Sequence, residues 1–222
     1  MIKFEDVTAT YKKNTGIFNV SFDVSPGEMV FIMGPTGAGK STVLKTIYKD
    51  INIDSGNIFI DKKNISTSTS IRQISELRRN IGMIFQDFKL LNDRTIFDNI
   101  ALPLRIEGYS NYDIRKLVKS ALIKIGLPGC EKSSPLELSG GEQQRICIAR
   151  ALVKTPKVIL ADEPTGNLDP NISDEILDLL ETCTDEGSAV LMSTHNFPLI
   201  KPRNKKFIEL SQGRMVEWYI IR

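Results

Sequence analysis

A nine-residue stretch constrains this chain more than any other part of its sequence. It matches the pattern G-x-x-x-x-G-K-[ST] of phosphate-binding loops and comprises Gly34, Pro35, Thr36, Gly37, Ala38, Gly39, Lys40, Ser41 and Thr42. Glycines allow the backbone N–H groups to turn inward and approach a polyphosphate, which a Cβ atom would obstruct. The lysine of such a loop reaches the β- and γ-phosphate oxygens, and the next hydroxyl ligates Mg²⁺. The stretch therefore predicts a nucleotide site.

The sequence on both sides of this loop supports the same prediction. Met29 to Met33 is a continuous apolar run, which is typical of a strand buried on both faces of a parallel sheet. After the loop, apolar residues between Val43 and Tyr48 recur at helical spacing. A helix that begins near Gly39 would direct the positive end of its dipole at bound phosphates. Strand, loop and helix follow each other in the required order.

Composition limits the classes of function. A chain of 222 residues is long enough for one large α/β domain with a sizeable core. Its 29 Lys and Arg against 27 Asp and Glu leave a net charge of +2, which gives no electrostatic case for nucleic acid as the main partner. Three cysteines without metal-ligand spacing indicate reduced thiols. No signal peptide is evident and no apolar run approaches the ~18 residues of a membrane span, so we expect any membrane role to come through a partner.

Two further predicted strands end in polar residues suited to nucleotide hydrolysis. A buried apolar strand from Lys157 to Ala161 delivers Asp162 and Glu163 at its carboxyl end. In such a Walker B arrangement the aspartate holds Mg²⁺, and the glutamate orients or deprotonates the attacking water. Another buried strand, Ala189 to Ser193, ends just before His195, the single histidine in the sequence. Because the carboxyl ends of parallel strands meet at one edge, we expect His195 to face the γ-phosphate.

Two other residues have both a functional and a structural interpretation. Tyr11 could stack on an adenine ring, or it could be an ordinary tyrosine at the end of a strand. Gln86 follows the apolar strand Ile81 to Phe85, where its amide could reach Mg²⁺ or the attacking water. It could equally be a polar residue that simply ends a strand. Residue types and spacing leave both alternatives open.

The predicted organisation is a single domain with an inserted helical part. Strands are expected at Met1 to Val7 and at Gly16 to Ser25. Four apolar side chains of the second strand alternate and are expected on one face: Phe18, Val20, Phe22 and Val24. Between Asp87 and Leu152 there is no convincing strand, and an amphipathic helix ends at Gly126. We therefore assign residues 1–86 and 153–222 to the core and residues 87–152 to a helical subdomain.

A second anion-binding sequence lies far along the chain from the first. Ser139, Gly140 and Gly141 open a helix that continues from Glu142 to Leu152. A hydroxyl and two glycines at a helix N-terminus form a cradle for an anion. Since one chain already has its phosphate site, the second cradle suggests that it serves the nucleotide of another subunit.

The order of these motifs resembles that of the ABC ATPases. Leu138 to Arg145 looks like the signature motif of that family, and Leu160 to Glu163 looks like its Walker B motif. Together with Gln86, the D-loop Asn167 to Asp169 and His195, the resemblance covers nearly the whole chain. It implies an α/β P-loop fold of the ABC ATPase type. Such a fold has a RecA-like core with a mainly parallel sheet, an N-terminal antiparallel β part and an inserted helical subdomain.

The resemblance also implies roles for individual residues. Two subunits of this family face each other head to tail, which implies a homodimer closed by ATP and Mg²⁺, with Ser139 to Glu142 against the nucleotide of the partner. It implies adenine stacking for Tyr11, Mg²⁺ and water sensing for Gln86, and a γ-phosphate contact for His195. Asn196 departs from the family, which usually has Asp there, and this puts only the local hydrogen bonding of that residue in question.

A finer similarity points to one branch of the family. Ala161 to Asp169 is similar to the branch that contains FtsE-type cell-division ATPases, lipoprotein-release ATPases and macrolide exporter ATPases, and Ile81 to Leu104 most resembles the FtsE type. This implies an FtsX-like integral membrane partner that docks near Phe85 to Phe97. It also implies a place on the cytoplasmic side of the bacterial inner membrane, at the division site, and control of cell-wall hydrolases. The alternatives are an exporter ATPase and a soluble ABC protein acting on DNA or ribosomes, the latter disfavoured by the near-neutral charge.

Overall fold

A computed structural model describes residues 1–12, 15–67, 70–166 and 168–220. The strands are β1 (Ile2–Lys12), β2 (Thr15–Val24), β3 (Met29–Met33), β4 (Ser55–Ile60), β5 (Lys63–Asn64), β6 (Ile81–Ile84), β7 (Val158–Asp162), β8 (Ala189–Ser193), β9 (Lys206–Ser211) and β10 (Arg214–Ile220). The α-helices are α1 (Lys40–Ile47), α2 (Ile71–Arg79), α3 (Ile96–Ile106), α4 (Asn111–Lys124), α5 (Gly140–Leu152), α6 (Pro170–Asp185) and α7 (Phe197–Ile200).

The larger sheet has the strand order β10-β9-β3-β8-β7-β6. The pairs that β3 forms with β8 and β9, and that β7 forms with β6 and β8, are parallel, whereas β10 runs antiparallel to β9. The expected mainly parallel core sheet is confirmed. Consequently β3, β6, β7 and β8 all deliver their carboxyl ends to the same edge of the sheet.

Every residue of β3 is buried, as its apolar run predicts. Val30 and Ile32 face the core shared with α1 and the N-terminal strands, while Met29, Phe31 and Met33 face the core under α6. Each fully buried side chain of this size stabilises the fold by about 1.5–3 kcal/mol. The strand before the phosphate-binding loop is therefore anchored on both of its faces.

The smaller sheet has the order β2-β1-β4-β5 and is antiparallel throughout. Val7 opposes Val20, but Ala9 opposes Ile17, so β2 contains one more residue than β1 over this interval. This β-bulge reverses the side-chain alternation of β2. The prediction that Phe18 shares the buried face was therefore wrong, because Ile17 occupies that face and Phe18 is only half-buried. The other three predicted positions are buried.

Between residues 87 and 152 the chain forms helices and no strand. The predicted amphipathic helix is α4, which buries Ile114, Val118 and Leu122 against α3 and α5. Side chains of α5 contribute to this helical core and also to the core under α6, so α5 joins the two parts of the molecule. In the described residues, no helix combines the length and apolarity needed to cross a membrane.

Candidate functional site

The phosphate-binding loop connects β3 to α1, and two of its glycines are required by contacts as well as by backbone angles. Gly34 has φ of 144°, and a Cβ there would lie 2.2 Å from the carbonyl oxygen of Leu210 in β9. Gly39, the residue before α1, has φ of 105°, and a Cβ there would lie 2.9 Å from a side-chain methyl of Ile17. Larger residues would force the loop away from the sheet. The hairpin β9–β10 and strand β2 therefore hold the loop in shape.

Lys40 is the first residue of α1 and is almost completely buried. Its Nζ donates to the carbonyl oxygens of Gly34 (2.9 Å) and Pro35 (3.2 Å) and lies 3.3 Å from Oε1 of Glu163. The ammonium group is thus held across the mouth of the loop by three oxygen atoms. A cation buried at this depth requires such partners, since an unpaired buried charge is strongly destabilising.

Asp162 ends β7 and is buried beside the loop. Its Oδ1 accepts hydrogen bonds from Ser41 Oγ (2.9 Å) and from Ser193 Oγ (2.6 Å). Ser41 belongs to α1 and Ser193 to β8, so three elements converge on one carboxylate. These side chains form a compact group of oxygen atoms next to the phosphate-binding loop.

Glu163 follows Asp162 and carries its carboxylate between two basic groups. Its backbone has φ of 44°, and its N–H donates to Oγ (3.0 Å) and to the carbonyl oxygen (3.2 Å) of Ser193. One carboxylate oxygen faces Lys40 Nζ, and the other lies 3.0 Å from Nδ1 of His195. His195 itself is exposed at the rim. Lys40, Glu163 and His195 therefore form a continuous chain of polar contacts at the sheet edge.

This convergence of a phosphate-binding loop, paired acids and a histidine is the arrangement of an ATP hydrolysis site. A model of the ABC transporter family matches residues 17–166. This chain belongs to the ABC transporter family. The FtsE protein of Escherichia coli K12, named a cell division ATP-binding protein, is 48% identical over 97% of this chain and 97% of its own length. The FtsE proteins of Streptococcus pneumoniae D39 and Mycobacterium tuberculosis H37Rv are 42% and 41% identical over 97% of this chain and 94% of their own.

Solved structures of the family share the fold. A dimeric post-hydrolysis structure of the ATP-binding cassette MJ0796, bound to ADP and Pi, has a TM-score of 0.91 at 33% identity and covers 100% of this chain and 99% of its own. The cbiO1 subunit from Clostridium perfringens has a TM-score of 0.87 at 28% identity over 98% of this chain and 87% of its own. The chain is an ABC-type cassette that binds nucleotide and hydrolyses ATP.

The signature segment of this ABC ATPase opens α5, with Ser139 as its N-cap. Ser139 Oγ donates to Glu142 Oε2 (2.7 Å), the Ser139 N–H donates to the same oxygen (2.9 Å), and the Glu142 N–H donates back to Ser139 Oγ (3.4 Å). These two donors to its carboxylate lower the pKa of Glu142. Gly140 and Gly141 follow without side chains, and a Cβ on Gly140 would meet nothing within 4 Å. The helix α5 thus starts in an exposed, reciprocally bonded capping box, and its role as an anion cradle stays a prediction.

In the described part of the chain, the side chains of the remaining predicted residues form no hydrogen bond or ion pair with Lys40, Glu163 or His195. Tyr11 is exposed on β1, and Gln86 is exposed two residues beyond the end of β6. Asn196 caps α7 through a bond from Leu199 N–H to its Oδ1 (3.2 Å), a role that Asp would fill equally well. Of the D-loop, Asp169 caps α6, whereas Asn167 lies outside the described residues.

The oxygen-rich group around Asp162 fits Mg²⁺. Magnesium prefers carboxylate and hydroxyl oxygen atoms, and it is usually held by one or two protein ligands together with substrate phosphates. Ser41 and Asp162 already place two such oxygens 2.9 Å apart. No cluster of three or more His, Cys, Asp or Glu side chains forms a metal site in the parts of the chain that are described. The chemistry of this site therefore suits a metal that arrives with a nucleotide.

Ser193 is the functional residue that sequence reasoning missed. It is completely buried, donates to Asp162 and accepts from the N–H of Glu163, so it orients both acids. The signal was present, because Ser193 is a polar residue at the carboxyl end of a buried parallel strand. The same rule had been applied to Gln86 and His195.

Proposed function

We propose that this chain is the ATP-hydrolysing subunit of a bacterial cell-division ABC complex and acts with an FtsX-like integral membrane protein. The observation that carries the ATPase part is the convergence of Lys40, Asp162, Glu163 and His195 at one edge of the sheet. Identity of 41–48% with FtsE proteins over 97% of the chain supports the cell-division part. The complex would lie at the cytoplasmic face of the inner membrane, at the division site.

In this proposal the phosphate-binding loop, residues 34–42, binds the ATP phosphates and Tyr11 stacks on the adenine. Phosphate oxygens would compete with the carbonyls of Gly34 and Pro35 and with Glu163 for the Lys40 ammonium. Transfer of that ammonium to the γ-phosphate would release one Glu163 oxygen to orient the attacking water or accept its proton.

The second carboxylate oxygen of Glu163, Oε2, would be oriented by His195. Their 3.0 Å contact holds the carboxylate toward the sheet edge, and His195 is exposed enough to follow a γ-phosphate. Mg²⁺ would be held by Ser41, Asp162 and Gln86. When bound, the metal would neutralise charge on the β- and γ-phosphates.

A homodimer would complete the site. The cradle of Ser139, Gly140, Gly141 and Glu142 is exposed at the start of α5, where it can meet an anion held by a second copy. Negative phosphate charge between two positive cradles would close the dimer, and hydrolysis would open it. The dimeric neighbour bound to ADP and Pi supports this arrangement by analogy.

The membrane partner would dock in a groove between the core and the helical part. The groove has a volume of about 450 Å³, and its apolar walls include Phe85 of the predicted segment and Leu102, Pro103 and Ile106 of α3. Ile106 is 58% exposed at this groove, so its apolar side chain is available to a partner. Phe97, at the other end of the predicted segment, packs against the helical core instead. We therefore expect the partner helix to contact the face of α3 as well as the segment after β6.

The alternative is the ATPase of a lipoprotein-release or macrolide-type exporter. The hydrolysis site would be the same, and only the permease would differ. The identities with FtsE proteins favour the cell-division reading.

The ATPase part is tested with the Glu163→Gln variant, whose side chain has nearly the shape of the original but no carboxylate. We expect it to bind ATP·Mg²⁺ and to accumulate as a closed dimer, measured by light scattering, because binding precedes the step that needs Glu163. Lys40→Ala is the control that should bind no nucleotide and remain monomeric. Rapid turnover by the Glu163→Gln chain without a dimer would refute the role of Glu163.

The same pair of variants tests the partner. Each would be incubated with ATP·Mg²⁺ and detergent-solubilised membranes of its own cell, and co-purifying proteins would be identified by mass spectrometry. ATP-dependent recovery of an FtsX-like protein with Glu163→Gln, and not with Lys40→Ala, supports the proposal. Recovery of an exporter permease would establish the alternative. Recovery of only ribosomes or DNA would refute both membrane readings.

A further inference from the structure

Phe88 and Lys89, which lie shortly after Gln86, accept hydrogen bonds from side chains of α5, the helix that starts at the signature segment. Arg150 of α5 donates from Nη2 to the carbonyl oxygen of Phe88 (2.7 Å) and from Nη1 to that of Lys89 (2.6 Å). Cys147, one turn earlier on α5, donates from Sγ to the same Phe88 oxygen (3.0 Å). Three donors on one helix thus converge on two consecutive carbonyl groups.

The backbone at Phe88 and Lys89 has an unusual conformation. Phe88 has φ of 58° and Lys89 has φ of 51°, so two successive non-glycine residues are left-handed. Residues with a Cβ rarely adopt this region, and two in sequence need external support. The three donors of α5 provide such support. Without them the segment that follows Gln86 would relax toward ordinary backbone angles.

Among the described residues, the hydrogen-bond acceptors of Arg150 are the carbonyl oxygens of Phe88 and Lys89. Burial lowers the pKa of Arg150, yet within the described ranges no carboxylate forms an ion pair with it. Arg150 is partly buried, and the acceptors of its guanidinium are these two carbonyl groups of Phe88 and Lys89. The planar fork of Arg matches two adjacent oxygens, whereas the ammonium of Lys would match one.

The same helix, α5, connects Arg150 to the cradle at Ser139, Gly140 and Gly141. α5 begins at Gly140, with Ser139 as its N-cap, reaches Arg150 after about three turns and packs into both the helical core and the core under α6. Elsewhere on α5, Gln144 is buried, and its amide has no hydrogen-bond partner among the described residues. A buried amide without partners is costly, so a shift of α5 that supplies a partner would be favoured.

We propose that Arg150 is a positioning residue that couples the loop after Gln86 to the signature helix, so that both move as one body when nucleotide binds. The inference rests on the roles proposed above for Gln86 and the Ser139 cradle. A contact of the Gln86 amide with bound Mg²⁺ or with the γ-phosphate would then reorient the cradle that meets the other copy. Nucleotide binding in the phosphate-binding loop itself does not involve Arg150.

The test compares double variants in the full chain, each built on Glu163→Gln. Arg150→Lys keeps the charge but loses the fork. Arg78→Lys is the control, because Arg78 also donates to two backbone carbonyls, those of Tyr48 (2.9 Å) and Lys49 (3.3 Å), and forms no hydrogen bond with the loop after Gln86 in the described residues. Unlike Arg150, it also pairs with Asp50 (2.6 Å). ATP affinity is measured by fluorescent-nucleotide titration at low protein concentration, and ATP-dependent dimerisation by analytical ultracentrifugation.

We expect the dimer dissociation constant of the Arg150→Lys chain to rise at least tenfold while its ATP affinity stays within twofold of the parent. Arg78→Lys should leave both constants unchanged, although it should lower thermal stability. Cys147→Ala removes one of the three donors and should weaken dimerisation about threefold. This variant replaces Arg150→Lys as the test if Arg150→Lys folds poorly. Dimerisation of Arg150→Lys equal to that of the parent would overturn the inference.

Hydrogen exchange gives a readout that does not depend on dimerisation. In monomeric parent protein, a non-hydrolysable ATP analogue with Mg²⁺ should alter exchange both in residues 86–90 and in residues 139–145. In Arg150→Lys the second change should disappear while protection of the phosphate-binding loop remains. If the parent fails to dimerise with ATP, the proposed dimer is wrong, and this measurement alone decides the role of Arg150. A change at residues 139–145 that persists in Arg150→Lys would refute the coupling.

Discussion

Substitution of Ser193 by Ala should separate the positioning of the two acids from the stability of the sheet. The hydroxyl of Ser193 is fully buried, donates to Asp162 (2.6 Å) and accepts from the Glu163 N–H (3.0 Å). Hydrogen bonds to charged groups contribute about 1.5–3 kcal/mol, so we expect the free energy of unfolding to fall by about 2 kcal/mol. For a chain of this size that lowers Tm by roughly 4–8 °C. The Glu163 N–H keeps a second acceptor, the Ser193 carbonyl, which limits the loss.

The catalytic effect should be larger than the stability loss suggests. Without the hydroxyl, Asp162 retains only the bond from Ser41, and Glu163 loses one of the two acceptors that fix its backbone. If the less well positioned acids stabilise the transition state by about 1.4–2 kcal/mol less, kcat falls roughly 10- to 30-fold. KM for ATP should stay within about twofold, because the hydroxyl of Ser193 is bonded to Asp162 and Glu163 and forms no hydrogen bond with the described residues 34–42.

Ser188→Ala provides the matched control. Ser188 precedes the other end of β8, and its hydroxyl donates to the Pro156 carbonyl (2.8 Å), far from the acids along the strand. Thermal denaturation and steady-state ATPase kinetics would be measured on both variants and the parent. Ser188→Ala should lose about 1 kcal/mol of stability and retain its kcat. A Ser193→Ala chain with the parental kcat, or a Ser188→Ala chain with an equal catalytic loss, would refute the reasoning.

Three further outcomes are expected. Gly34→Ala should lower Tm and ATP affinity together, since a Cβ would lie 2.2 Å from the Leu210 carbonyl oxygen, and unchanged calorimetric titrations would contradict this. Tyr11→Ala should weaken ATP binding by about 1–3 kcal/mol while Tyr11→Phe retains it, and equal affinities would remove adenine stacking from the proposal. Burial raises the pKa of the Cys147 thiol to about 12, so its thiolate fraction at pH 8 is roughly a thousandfold lower than at the usual pKa. Cys147 should therefore alkylate far more slowly than the half-buried Cys130, and equal rates by mass spectrometry would contradict the burial.

Much of the fold was predictable because local patterns report local structure. The apolar runs at β3, β7 and β8 indicated strands buried on both faces, and every residue of these strands is buried. The helix α3 was not predicted individually, since Pro103 lies within it and proline discourages a helical interpretation. The bulge in β2 was also invisible, because an extra residue in one strand is defined only against its partner.

The sequence by itself determined which chemistry is possible here. The glycine spacing of the phosphate-binding loop, the paired acids and the histidine after a buried strand each name a role through residue type and local position. Tertiary structure alone decided which of these groups meet. Lys40, Glu163 and His195 come from distant parts of the chain and contact each other because β3, β7 and β8 lie side by side in parallel. Contacts such as those of Arg150 with the backbone after Gln86 depend on how helices and loops pack. They join residues far apart in the chain, and the periodicity of a sequence reports only local structure.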